Sequence, residues 1–174
     1  MTYTIKAVKT FHGHDGYGWE ANLYHGKTKI ALVVEDGYGG GLQFYFTDEK
    51  APRIKTNGLD FKDEAHTFND TPSESALRTF CITLPKWELY NGKMKHTDME
   101  IFVDGLVQAK LTEKDVKKLL KKVAIFDDGE VYTYNRPAAQ ADALSAQIFK
   151  SHPKAIILNT LPLAEAVTLY KQVA

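Results

Sequence analysis

The chain has 174 residues, with 22 Lys plus Arg against 22 Asp plus Glu and one cysteine. That length can bury a core without disulfides or metal, and the lone Cys81 excludes an intramolecular disulfide. Zero net charge argues against a dedicated nucleic-acid binder, while leaving room for a local basic patch. The apolar runs, such as Ile30 to Val34 and Ala155 to Leu158, are far below membrane-spanning length. The start, MTYTIKAVKTF, lacks the charged-then-apolar pattern of a signal peptide. A cytoplasmic protein without a membrane partner or cofactor is expected, as one domain over 1–174 with 123–174 a candidate C-terminal subdomain.

Taken in order, residues 2–11 alternate, with Ile5 and Ala7 on one face, and read as a strand near a sheet edge. Phe11 to Phe46 holds eight of the twelve glycines and the densest run of aromatic and β-branched residues. Within it Trp19, Ala21 and Leu23 mark a half-buried strand, and His25-Gly26-Lys27 a tight reversal. Ile30, Leu32 and Val34 are the expected inward face of the next strand; Leu42, Phe44 and Phe46 that of a fourth. Together these predict an antiparallel meander with one apolar face.

Residues 51–70 are polar and read as a long loop, with a short strand near Leu59 and Phe61. Thr71-Pro72-Ser73-Glu74 is a capping box opening a helix that carries Leu77, Phe80, Cys81 and Leu84 on one stripe, ended by Pro85. A second box at Thr97-Asp98-Met99-Glu100 starts a helix to about Lys110. Thr112 to Lys122 continues it, or follows a bend near Leu111. Next come a strand over 123–126, a turn at Asp128-Gly129, a returning strand over 131–134 and an alanine-rich helix over 137–150. A short strand over 155–158, covered on both faces, and a helix from Pro162 complete the chain. Strands first and helices later predict an α+β fold, a four-stranded meander covered by helices with a ββαβα end.

Three groups of residues invite a functional reading. Gly37-Tyr38-Gly39-Gly40-Gly41 leads into a strand pattern without a following Lys-Ser/Thr, so it reads as a hairpin loop and not a phosphate cradle. Its Tyr38, with Tyr17, Tyr24 and Tyr45, supplies exposed aromatics for a macromolecular partner. Lys114, Lys117, Lys118, Lys121 and Lys122 share the arc opposite Val116, Leu119, Leu120 and Val123, a face suited to phosphates. His12 and His14, two apart, are the start of a metal set with Asp15 or Glu20, but no second His or Cys pair completes it. Cys81 sits on an apolar stripe and reads as core, and no Ser stands in a nucleophile elbow.

The segment FHGHDGYGWEANLYHGKTKIALVVEDGYGGG resembles a group of small accessory proteins carried by bacteriophages and bacterial mobile elements. The resemblance rests on the aromatic-x-Gly-x-Asp-Gly-x-Gly pattern, the "LYHGKTKIA" hairpin and the Gly-Gly turn. Thr83-Leu84-Pro85, DMEIFVDGLV and the lysine-rich helix before a hairpin extend it over most of residues 3–134. It implies a phage or prophage protein in the bacterial cytoplasm that binds, and blocks or modulates, a host component such as a defence system. The leading expectation is therefore a non-enzymatic protein with a host protein as partner, monomeric or homodimeric. A nucleic-acid-associated protein using the lysine face comes second, and a metal-dependent hydrolase built on His12 and His14 last.

Overall fold

Four strands open the chain, β1 (Tyr3–His12), β2 (Tyr17–His25), β3 (Thr28–Glu35) and β4 (Gln43–Phe46), and pair antiparallel in chain order. The structure, a computed structural model, describes residues 2–14, 16–60, 62–88 and 92–173. It divides into two units, Met1–Gln108 and Ala109–Ala174. Asp15 and Phe61, both named in the sequence reading, lie outside the described residues.

The alternation in β2 holds, burying Trp19, Ala21 and Leu23. Two bulges change the faces of its neighbours. In β1 the register shifts between Lys6 and Lys9, and Ala7 takes a positive φ of 54° and is exposed, not inward as its spacing suggests. In β3, Tyr24 faces Lys29 while Leu23 faces Ala31, so Ile30 is an extra residue. Beyond it the inward positions are Ala31 and Val33, and Leu32 and Val34 turn to the half-exposed outer face. A one-residue slip reverses every later side chain, which is why the expected Ile30–Leu32–Val34 face is wrong after its first member.

Residues 51–70 are no loop. They hold β5 (Ile54–Leu59) and β6 (Ala65–Asp70), paired along six residues. The hairpin is fixed by polar contacts that apolar alternation cannot reveal. Buried Thr56 donates to the Ser75 hydroxyl at 2.7 Å. Buried Asp70 accepts two bonds from Arg78, at 2.8 and 3.0 Å, and Arg78 also reaches Glu74 at 3.2 Å and lies 3.6 Å over the Phe68 ring. Burial foremost, and Asp70 next, raise the Glu74 pKa against the pull of the Thr71 N–H, Arg78 and Arg53.

Helix α1 (Pro72–Ile82) starts as expected, with Thr71 as N-cap and Glu74 completing the box, and buries Leu77 and Cys81. A two-residue pairing of β7 (Trp87–Glu88) with β8 (Met94–Lys95) follows. Helix α2 (Met99–Leu119) is continuous. Its expected box at Thr97 does not form: Asp98 accepts from the Ile101 N–H at 2.9 Å, whereas Thr97 donates to the Pro85 carbonyl. Tyr3, Phe80 and Phe102 meet at centroid distances of 4.8 to 5.9 Å, seating α1 and the start of α2 on the inner face of the first sheet.

The second unit has its own sheet, in which β9 (Lys122–Asp127) lies between β10 (Glu130–Pro137) and β11 (Ile156–Ile157). Asp128 and Gly129, both at positive φ, form the tight turn between β9 and β10. Val123 and Ile125 pack with Ala141 and Ile148 of α3 (Ala141–Ser151). Ala124 packs the other way, with Val116, Leu158 and Ala166 of α4 (Leu163–Tyr170). The strand buried on both faces is thus β9; β11 is an edge whose Ile156 is exposed, contrary to expectation. Asn159 closes this side of β9, accepting from the Ala124 N–H at 2.7 Å and donating to the Leu120 and Lys122 carbonyls.

Candidate functional site: a glycine-locked aromatic rim

At one end of the first sheet the β1–β2 turn and the β3–β4 loop touch backbone to backbone. A Cβ on Gly13 would stand 2.7 Å from the Gly37 Cα and 2.8 Å from the Asp36 carbonyl. Gly37, at φ +74°, meets Gly13 as closely, so only glycine fits at either position. Gly18 plays the same part against the Glu35 carbonyl, 2.6 Å from its would-be Cβ. Gly13, Gly18 and Gly37 therefore serve close approach, whereas Gly16, Gly26, Gly39 and Gly40 face open space.

Two carboxylates order the loop. Glu35 accepts from the Gly37 N–H at 2.9 Å, and Asp36 from the Tyr38 N–H at 3.0 Å. The second oxygen of Asp36 accepts from the Gln43 amide, and Gln43 in turn accepts from the Tyr45 hydroxyl at 2.7 Å. One aspartate thus ties the loop backbone to a side chain on β4. His14 stacks on Tyr38 at 6.0 Å, and His12 lies 4.3 Å from Tyr17. Tyr17, Tyr38 and Tyr45 are 71%, 63% and 55% exposed, large apolar areas on a fixed support.

Tyr45 stands opposite Leu32 on the outer face of the sheet, beside Val34, Gln43 and the Lys9–Glu20 pair. Hydrogen bonding to Glu20 raises the Lys9 pKa. The half-exposed Leu32 and Val34, rimmed by tyrosine and charge, have the composition of a contact surface. Tyr24 lies apart, half-buried toward the opposite end of the sheet, with the Lys6 ammonium 4.4 Å from its ring centroid.

The histidines of the rim are engaged with aromatic rings, and Glu20 with Lys9. Among the described residues no group of three His, Cys, Asp or Glu side chains is arranged to hold a metal ion. Cys81 is buried, and burial, with Asp98 adding, pushes its thiol up to about 12, so it is protonated at neutral pH. Two His–Asp pairs escaped the sequence reading because their partners are distant along the chain. Buried His96 engages the Asp63 carboxylate through Nδ1 and its backbone N–H, and the side-chain bond foremost holds Asp63 below the usual carboxylate range. His152 Nδ1 lies 2.7 Å from Asp127.

The lysines divide between elements. Lys114, Lys117 and Lys118 lie on α2, which ends at Leu119; Lys121 is in the following turn and Lys122 opens β9. The single helical arc expected for all five is thus broken. All five are exposed, and Lys117, with Lys110, is paired to Glu113, whose carboxyl these two hydrogen bonds lower to about 2. No protein family, curated protein or solved structure matches the chain.

Proposed function

We propose that this chain is a non-catalytic binding protein whose aromatic rim, formed by Tyr17, Tyr38 and Tyr45 with the stripe of Leu32 and Val34, contacts a protein partner. The observation that carries this reading is the close backbone approach of Gly13 and Gly37, which packs the loop bearing the exposed Tyr38 against the end of β1. Binding to such a surface loses little conformational freedom, and tyrosine is enriched among residues that dominate binding energy. The resemblance to phage and mobile-element accessory proteins directs the reading to a host component as the partner, with inhibition or modulation as the outcome.

Affinity capture from a nuclease-treated bacterial lysate tests this. A specific host protein is expected on the wild-type chain and lost from Y17A/Y38A/Y45A, with Y24A retaining it. Equal capture by the triple variant would overturn the reading. A second reading rests on Lys114, Lys118, Lys121 and Lys122, exposed and outside the ion pairs found among the described residues. Such a group favours phosphate contact. It predicts a salt-sensitive gel shift with DNA or RNA that K118E/K121E/K122E abolishes; no shift by the wild type removes it.

A further inference from the structure

We propose that β10 is a self-complementary edge through which two copies of this chain pair, joining their three-stranded sheets into one of six strands. Of the edges of the two larger sheets, β1 is blunted by its bulge and the positive φ of Ala7, β4 spans four residues and β11 two. Strand β10 runs eight residues and keeps regular register with β9 from Glu130 to Tyr134, its own irregularity falling only beyond, between Tyr134 and Pro137, where Asn135 and Arg136 have no partner on β9. Its sequence, Val-Tyr-Thr-Tyr, is strongly β-favouring.

The tight turn fixes which backbone groups face outward. Asp127 and Glu130 flank the two-residue turn and form the first hydrogen-bonded pair with each other. Alternation then gives Tyr132 and Tyr134 to β9, and directs the N–H and C=O of Val131 and Thr133 away from the sheet. An antiparallel mate centred on Thr133 satisfies them: Thr133 pairs with Thr133 of the second copy, and Val131 with its Asn135. The same two-fold axis sets Tyr132 opposite Tyr134, and Glu130 opposite Arg136, each twice per dimer.

The side chains suit those pairings. Glu130, Tyr132 and Tyr134 share one face by alternation, and Arg136 lines with Tyr134, Leu144 and Ile148 a groove of about 510 Å³ between β10 and α3. Neither Glu130 nor Arg136 has an ion-pair partner among the described residues, and the hydroxyl of Tyr132 donates to Glu130 at 2.6 Å. Each copy thus supplies, at opposite ends of the strand, an acid and a base that stand outside the ion pairs found among the described residues. This charge complementarity identifies a second copy of the chain as the occupant. Cross-strand tyrosine and opposite-charge pairs are the contacts that stabilise antiparallel neighbours.

Sedimentation of the full chain at about 100 µM tests the proposal against a monomer mass of 19.6 kDa. A species of twice that mass is expected. T133P removes an outward N–H without touching the β9 ladder, and should give the monomer with an unchanged circular dichroism spectrum. Of the charge variants, E130R and R136E should each weaken the dimer about tenfold or more by setting like charges opposite, and E130R/R136E together should restore it. A monomeric wild type, or a dimer indifferent to T133P and to both single charge reversals, would overturn the assignment.

Discussion

The two units solve the same problem, covering a small antiparallel sheet, to different extents. In the first, Tyr3, Ile5 and Ala31 on one face of the sheet are buried, with Tyr3 against Phe80 and Phe102 of the helices. The other face, carrying Lys6, Lys9, Gln43 and Tyr45, is exposed. In the second, β9 is buried on both sides, by α3 and by α4 with the end of α2. What such a sheet has left to offer is an edge. On the two proposals, the open face of the first sheet offers side chains, and the second sheet, whose central strand β9 is covered on both faces, offers the backbone of its β10 edge.

Variants that disturb one unit at a time probe this contrast. The largest effect is expected from R78A, which strands the buried Asp70 carboxylate and costs about 3 kcal/mol. Both tryptophans, Trp19 and Trp87, lie in the first unit, so denaturation followed by their fluorescence reads the loss. N159A acts in the second unit, leaving the Ala124 N–H without its acceptor, and should cost about 2 kcal/mol, seen as faster hydrogen exchange along β9. A7G should go the other way. It removes the left-handed strain of a non-glycine residue at φ 54° and should stabilise by about 0.5–1 kcal/mol in the same fluorescence assay.

The smallest effect is a pH dependence. Asp63 is held below its ordinary pKa of about 4. Its contribution is therefore present above that pH and is lost as pH falls through the lower folded value. The stability curve of D63N should be flatter than wild type across that window. Equal slopes would show that the His96 contact does not persist in solution.

Much of the fold was legible in the sequence where apolar period and capping chemistry agree. The alternation of Trp19, Ala21 and Leu23, the Thr71–Glu74 box and the Asp128-Gly129 turn each name an element and its limits. The misreadings have two physical sources. Bulges at Ala7 and Ile30 leave composition unchanged while reversing the faces that follow. The 54–70 hairpin is held by Thr56 and Asp70, whose polar partners Ser75 and Arg78 lie on α1 and leave no apolar stripe. For the candidate site, the tyrosines and glycines were visible, but the reason for the glycines was not. That Gly13 and Gly37, 24 positions apart, meet backbone to backbone is a fact of register. So is the relay from Asp36 through Gln43 to Tyr45, which separates the rim from Tyr24.

The central claim, that the rim is the contact surface, is tested most directly by site-specific photocrosslinking in bacterial lysate. A photoreactive phenylalanine analogue replaces Tyr38 in one variant and Lys118 in another. The account predicts a discrete, nuclease-insensitive protein adduct from position 38, abolished by Y17A/Y45A, and no adduct from position 118. A nucleic-acid adduct at position 118 with none at position 38 would contradict it.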